Sequence, residues 1–356
     1  MMHPGPIRIL FIKHLNASFI RRDEQLLNKI GQVTVFQFQF NKGWRVIPEL
    51  FKETWFILRR LRKTEIIYVW FADFHAVLPA FLARIFQKKC IIVIGGVDAA
   101  YLPEYAYGTK TRLAGRLSVW LATKLAHLLL PVSNFTAEAF YRNINPVLRN
   151  KSLVIYNCFE PIEMTVQQNK AGSQVVSICL ANKIKTLYIK GIDFYLTIAE
   201  KMPEVQFAVV GLSGEALEWA KERAPNNLHL HQPMPFGDLQ QYLTNSQVIC
   251  QFSRHEAFGL ALLEGIAAGC FPVGLNLGGT AEILQLSEGI LIEKLDISEA
   301  VNAIRLALTA SPEKKDRIKK QVLSRFNCKH RLDALAAAID KISQSASKPS
   351  KQFSQH

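Results

Sequence analysis

The chain has 356 residues, 49% of them apolar and 20% charged, and carries a net charge of +14. That length and apolar content allow a large core and suggest two domains. No uninterrupted apolar run approaches the ~20 residues that a membrane span needs, and neither end reads as a secretory signal. The six cysteines, at 90, 158, 179, 250, 270 and 328, lack metal-ligand spacing, so they read as buried thiols of a cytoplasmic protein. Residues 1–165 hold 22 Lys and Arg against 11 Asp and Glu, leaving 21 against 18 for the rest. The first half therefore faces an anionic partner, with a membrane surface, nucleic acid and an acidic glycan as candidates.

In chain order, strand-like apolar runs at 7–13, 33–40, 65–71, 90–96, 127–133 and 153–159 alternate with longer helical stretches. The second half repeats the arrangement at 175–181, 205–211, 228–234, 248–253, 271–276 and 289–293. Strands separated by helices predict right-handed crossovers and parallel sheets covered on both faces. The expected fold is α/β: two Rossmann-like, doubly wound domains at 1–158 and 159–325, with a ligand at the carboxyl ends of the strands in the cleft between them. A strongly helical stretch fills 326–342, and the Ser, Gln and Lys-rich tail at 343–356 is expected to be disordered.

Within the first half, residues 47–63 predict an amphipathic helix. Ile47, Leu50, Phe51, Trp55, Leu58 and Leu61 share one arc, which is expected to be the buried one, while Lys52, Arg59, Arg60 and Lys63 lie opposite with Phe56 among them. An apolar residue inside a basic face suggests contact of residues 47–63 with an anionic membrane surface; a sheet-covering helix with one stray aromatic is the alternative. His75, at a strand end, either reaches the cleft or is structural. Asp98 ends the next strand. Tyr101, Glu104 and Tyr107 follow on a polar, aromatic loop that suits sugar recognition and equally an ordinary surface.

In the second half, Lys190-Gly191 opens a helical run, where a lysine can oppose the charge that grows on a diphosphate leaving group or can simply be solvated. Val210-Gly211-Leu-Ser-Gly214 reads as a tight strand-to-helix turn. The richest stretch is Arg254 to Val273, Arg-His-Glu-Ala-Phe-Gly-Leu-Ala-Leu-Leu-Glu-Gly-Ile-Ala-Ala-Gly-Cys-Phe-Pro-Val. Gly259 permits close backbone approach, a helix follows to Ala268, and Gly269 ends it. Amides at such a helix start attract phosphate. Glu264, one turn into the helix, can reach a sugar hydroxyl, and Glu256 sits on the loop before it. A phosphate ligand carrying hydroxyls, such as a nucleotide sugar, fits both carboxylates. Gly278, Gly279, Thr280 and Glu282 then open another helix, for which capping alone is a sufficient explanation.

From Ser253 to Leu284 this pattern resembles the signature of the family-four glycosyltransferases, retaining enzymes of the two-domain GT-B fold. The resemblance implies transfer of a hexose from a nucleoside-diphosphate sugar to a hydroxyl, on a lipid-linked glycan in cell-surface polysaccharide synthesis. It implies that Glu256 contacts the donor sugar and Lys190, in Lys190-Gly191-Ile192-Asp193, the diphosphate. Glu264 would hold the ribose, and the amides of Phe258, Gly259 and Leu260 the phosphates. Gly211, Gly278 and Gly279 would lie beside the donor, and the helix at 326–342 would cross back to the first domain. An arginine usual before the lysine is missing, with Lys183 or Lys185 as substitutes. In the first domain Gly95, before Gly96-Val97-Asp98, stands where the family has histidine, and Lys13-His-Leu-Asn-Ala-Ser-Phe-Ile-Arg-Arg22 replaces a glycine pair, with Arg21 and Arg22 either contributing to the phosphates or simply solvated. Asp98, His75, Tyr101 and Glu104 are the acceptor-side candidates. No Asp-x-Asp motif is present, so no metal and no other cofactor is expected. The protein is expected in the cytoplasm, peripheral on the inner face of the cell membrane.

The main rival is a nucleotide-sugar-binding protein of the same fold with altered chemistry, an epimerase or an inactive paralogue. A basic nucleic-acid-binding protein rests on net charge alone, so no nucleic-acid partner is expected. Neither half carries Gly-x-Gly-x-x-Gly after its first strand, which disfavours a pyridine-nucleotide oxidoreductase.

Overall fold

A computed structural model describes residues 5–40, 46–160 and 174–344. The tail beyond 344 lies outside them. The chain divides into two units, the first formed by residues up to Tyr156 together with those from Cys328 onward, the second by Asn157–Asn327.

The first unit runs β1 (Ile7–Lys13), α1 (Ser18–Ile30), β2 (Gly31–Gln37), α2 (Ile47–Arg60), β3 (Ile66–Trp70), α3 (Phe74–Ile85), β4 (Lys89–Ile94), α4 (Leu113–Leu125), β5 (Leu128–Pro131) and α5 (Asn134–Asn143). Its five strands are parallel in the order β2-β1-β3-β4-β5. The inner strands are continuous apolar runs because both faces are covered. Leu10, Ile12, Ile67, Val69 and Ile92 point to one face and pack with α2, α3 and α4. The run at 153–159 is not a strand. Leu153 and Ile155 donate to Leu129 and Pro131 on the edge of β5, but the pairing goes no further.

On the opposite face a buried network joins distant parts of the sequence. Asp23 of α1 accepts from Tyr68 Oη at 2.8 Å and Trp70 Nε1 at 2.9 Å, and both its oxygens pair with Arg331. Arg331 lies on the last helix (Cys328–Gln344), and its Nη1 also donates to the carbonyls of Ile155 and Tyr156. Asp23 and Arg331 are 0% and 3% exposed, so each charge depends on the other for solvation.

Helix α2 overturns its expected orientation. Phe51, Trp55, Leu58 and Ile47 face outward, with Phe51 72% and Trp55 60% exposed, while Glu49, Glu53 and Ile57 are buried. Phe56 turns inward onto Phe36, its ring centroid 4.9 Å away, and Arg60 stacks over it. The hydrophobic arc of the wheel is genuine, but the sheet receives its neighbour. Glu49 accepts from the Gln39 amide, whereas neither carboxyl oxygen of Glu53 has a hydrogen-bond partner among the described residues. Burial, with Glu49 adding to it, raises the Glu53 carboxyl from the ordinary 4.5 to about 9. A carboxyl raised on folding contributes stability that is present below its unfolded value and is lost as pH climbs through the folded one. Wild-type urea midpoints should therefore fall between about pH 5 and 9 more steeply than those of Glu53→Gln. Parallel curves for the two proteins would remove Glu53 as the source.

The second unit runs β6 (Val175–Ala181), α6 (Ile184–Ile189), α7 (Ile192–Glu200), β7 (Phe207–Leu212), α8 (Gly214–Lys221), β8 (Leu228–His231), α9 (Phe236–Thr244), β9 (Val248–Gln251), α10 (Leu260–Ala267), β10 (Phe271–Leu275), α11 (Gly278–Leu284), β11 (Ile290–Ile292), α12 (Ile297–Leu308) and α13 (Pro312–Arg325). Its six-stranded sheet, also parallel, has the order β11-β10-β9-β6-β7-β8. Strand order reverses between β6 and β9, which opens a crevice above their carboxyl ends. The last helix, α14 (Cys328–Gln344), belongs to the first unit. Among the described residues no helix is long and apolar enough to cross a membrane.

Candidate active site

The loops that leave β6 and β9 meet above this switch point, and glycine backbone conformation lets them do so. Gly191, at φ +70°, lies directly on the Phe252 carbonyl, so any side chain there would collide with it. Lys190, at the end of α6, is thereby brought to the β9 loop, where its Nζ donates to Glu256 Oε2 at 2.7 Å. The same oxygen accepts from Gln251 Nε2 at 3.0 Å, and Gln251 Oε1 in turn accepts from Thr280 Oγ1 at 3.1 Å. A second ion pair locks the loops together. Arg254 meets both oxygens of Asp193 at 2.7 Å and also donates to the Tyr188 carbonyl. Two parallel bonds between planar groups fix orientation as well as distance.

Three more glycines shape the loop. Gly259 adopts φ +107° at the start of α10, and a Cβ there would lie 3.1 Å from Gln251 Oε1. Gly278, at φ +65°, would place a Cβ 2.6 Å from the Glu256 carbonyl oxygen, and Gly279, whose amide donates to that oxygen at 2.8 Å, abuts the Phe258 backbone. The helix at Gly278 is thus fixed by close backbone approach, beyond what capping alone explains. Phe258 is buried edge-on against Phe326. The amides of Leu260 and Ala261 have no acceptor among the described residues and open the positive end of α10. Glu264 is half-buried one turn further on.

The structure thus brings together Lys190, Glu256, Gly259, Leu260, Gly278 and Gly279 around Gln251 and Thr280. Lys183 and Lys185 are exposed at the start of α6 and take no part in the Lys190–Glu256–Gln251 chain. Gly211, at φ +111° near the end of β7, would place a Cβ 2.8 Å from the Cys179 carbonyl oxygen, so packing of β7 on β6 already requires glycine. His255 is buried, which lowers its imidazole pKa.

The first-unit candidates do not form one constellation. Asp98 is 1% exposed and accepts from the amides of Ala72, Gly95 and Gly96 at 2.9, 3.3 and 2.8 Å, so it pins its own loop. Burial raises its carboxyl to about 6 against the pull of those amides. His75 is fully buried with Nε2 on the Trp70 carbonyl at 2.8 Å, and burial pulls its pKa down to about 4. His14 Nδ1 lies 3.4 Å from His75 Nε2, and burial together with His75 takes its pKa to about 3. Neutral imidazoles result, with the His14 ring edge-on to Phe40 and tilted against Phe71. Tyr101 and Glu104 are exposed, with Lys110 over the Tyr101 ring. The Phe71 ring, on a backbone at φ +69°, fills the space beside Gly95 that a side chain there would need. Arg21 donates to the Asn16 carbonyl and Arg22 to Cys328 Sγ.

Sequence reasoning gave no role to Gln251, Arg254 or His14. Gln251 ends an apolar strand and Arg254 opens the signature stretch, and polarity at those two places was the available signal.

Chemically, the second unit sets one cation beside open helix-start amides, with a carboxylate that both orients the cation and faces the same crevice. Such a cradle suits a diphosphate next to hydroxyls. Residues 170–325 match the family of glycosyl transferases group 1. A component of phosphatidylinositol N-acetylglucosaminyltransferase from Arabidopsis thaliana is 23% identical over 181 residues, which cover 47% of this chain and 40% of that protein. Anabaena HepE in complex with UDP superposes with a TM-score of 0.71 at 16% identity, over 94% of this chain and 100% of that one. Sucrose-phosphate synthase from Thermosynechococcus elongatus does so at 0.74 and 15%, over 96% and 100%. The chain therefore has the GT-B fold, and residues 170–325, which make up most of its second unit, are similar to the glycosyl transferases group 1 family.

Proposed function

We propose that this protein transfers a hexose from a nucleoside-diphosphate sugar to an acceptor hydroxyl with retention at the anomeric carbon. The observation that carries the reading is the Lys190–Glu256 pair, held by Gln251 and Thr280 next to the open amides of α10. As the bond from the anomeric carbon to the diphosphate oxygen breaks, Lys190 and those amides meet the charge developing on the phosphate. The acceptor oxygen forms the new bond, and its proton leaves with the diphosphate. Glu256 contacts the sugar and holds Lys190 in place, while Glu264 holds the ribose.

The UDP in the HepE structure supports a uridine diphosphate donor. The relative named for phosphatidylinositol supports a lipid-linked acceptor, here a glycan of cell-surface polysaccharide synthesis. All six cysteines are buried thiols, which supports a reducing compartment such as the cytoplasm. No metal takes part in this scheme, because protein groups oppose the leaving charge. Incubation with a panel of nucleotide sugars and hydroxyl acceptors, following release of nucleoside diphosphate, tests the reading. Release should survive EDTA. Activity lost on chelation and restored by magnesium or manganese would contradict the metal-free site, and no release from any donor would contradict the transfer itself.

A further inference from the structure

We propose that the outer face of α2, α3 and α4 in the first unit docks on an anionic phospholipid bilayer, and that a basic cavity at the end of α2 receives a lipid phosphate. The proposal stands apart from the sugar-transfer reading, since none of its residues belongs to the donor crevice.

Exposed apolar side chains are distributed very unevenly. Among the described residues, every large exposed aromatic lies in the first unit, and the second exposes only Leu180, Leu277, Leu286 and Leu306. Helix α3 packs between α2 and α4, so the three form one layer on the sheet. Their outer surface carries Phe51, Trp55 and Leu58 on α2, Phe81 and Ile85 on α3, and Leu117 and Trp120 on α4. In water α2 would gain by exposing its glutamates and burying Phe51 and Trp55, yet it does the reverse. Apolar surroundings on the outer side remove that conflict.

Charge selects the kind of apolar surface. Arg59 lies over the Trp55 ring at 4.5 Å and Lys124 over the Trp120 ring at 4.8 Å. Aromatic rings with cations beside them suit the boundary between acyl chains and anionic headgroups. Next to this face Arg8, Arg59, Arg60 and Lys63 line a cavity of about 480 Å³ together with Gln32 and Thr34. No carboxylate lines it, and Arg59 and Lys63 have no carboxylate partner among the described residues. A protein partner or a second copy would need matching acidic groups, whereas an anionic bilayer supplies phosphate and hydrocarbon at once.

The test is co-sedimentation of the full chain with phosphatidylcholine vesicles, with and without phosphatidylglycerol, at low and high salt. Binding should require phosphatidylglycerol and should fall with salt. Arg59→Gln/Lys63→Gln should weaken it roughly thirtyfold, and Phe51→Ser/Trp55→Ser by at least about tenfold. Both pairs replace outward-facing side chains, so thermal midpoints should hold, and Leu306→Ser in the second unit should bind as wild type. Inorganic phosphate at millimolar concentration should not displace the vesicles, which separates a lipid headgroup from a free anion. Equal sedimentation of all variants, or equal binding to phosphatidylcholine alone, would overturn the proposal. So would sedimentation equilibrium showing an oligomer that the Phe51→Ser/Trp55→Ser protein cannot form.

Discussion

Glu256→Gln should lower sugar transfer by about a hundredfold to a thousandfold, the scale seen when one group that meets or positions charge in a transition state is removed. The amide keeps one acceptor oxygen but loses the charge that holds Lys190 Nζ at 2.7 Å. Because Glu256 is 9% exposed and also takes the Gln251 bond, a stability loss of about 1–3 kcal/mol should accompany the change. The loss of turnover must therefore be read well below the variant's thermal midpoint. If Glu256 acts through Lys190, Lys190→Met should lower turnover comparably and the double variant little further. Wild-type turnover in folded Glu256→Gln would remove the residue from the mechanism.

The largest effect on stability is expected at Asp23. Replacing it by alanine leaves the Arg331 guanidinium buried without its counter-charge and strips the acceptor from Tyr68 and Trp70. Breaking one side of a buried pair costs about 3–5 kcal/mol. The loss should appear in urea denaturation followed by tryptophan fluorescence, since Trp70 is part of the network. Asp23→Ala combined with Arg331→Met should recover part of it, because the stranded charge is then gone. A loss under about 1 kcal/mol for Asp23→Ala would mean that water reaches Arg331.

The sheets were legible because inner parallel strands are written as unbroken apolar runs. The run at Ile7 and that at Val175 match their strands at both ends. The stretch at 153–159 carries the same apolar signal but has only the edge of β5 to pair with, a neighbour that composition does not reveal. Helix α2 was legible as amphipathic and not as oriented, since a wheel ranks faces by hydropathy while the sheet accepts Ile57, Phe56 and a neutral Glu53. In the crevice of the second unit the positions of Lys190, Glu256 and Gly259 could be read from spacing. The Arg254–Asp193 pair and the Gln251–Thr280 link could not, because each joins residues 29 or more apart through backbone positions that glycines alone permit. On the first unit, Asp98 was legible as special, but its three backbone amides show a loop pin rather than an exposed contact.

The central claim is that Lys190 and its neighbours bind the diphosphate of a nucleotide sugar, and calorimetric titration with UDP and with uridine tests it most directly. Wild type should bind UDP more tightly than uridine without added metal. Lys190→Ala should lose about tenfold or more in affinity for UDP while uridine is barely affected, since only the diphosphate faces the lysine. Equal losses for both ligands, or no binding of any nucleoside diphosphate to the wild-type protein, would contradict the account.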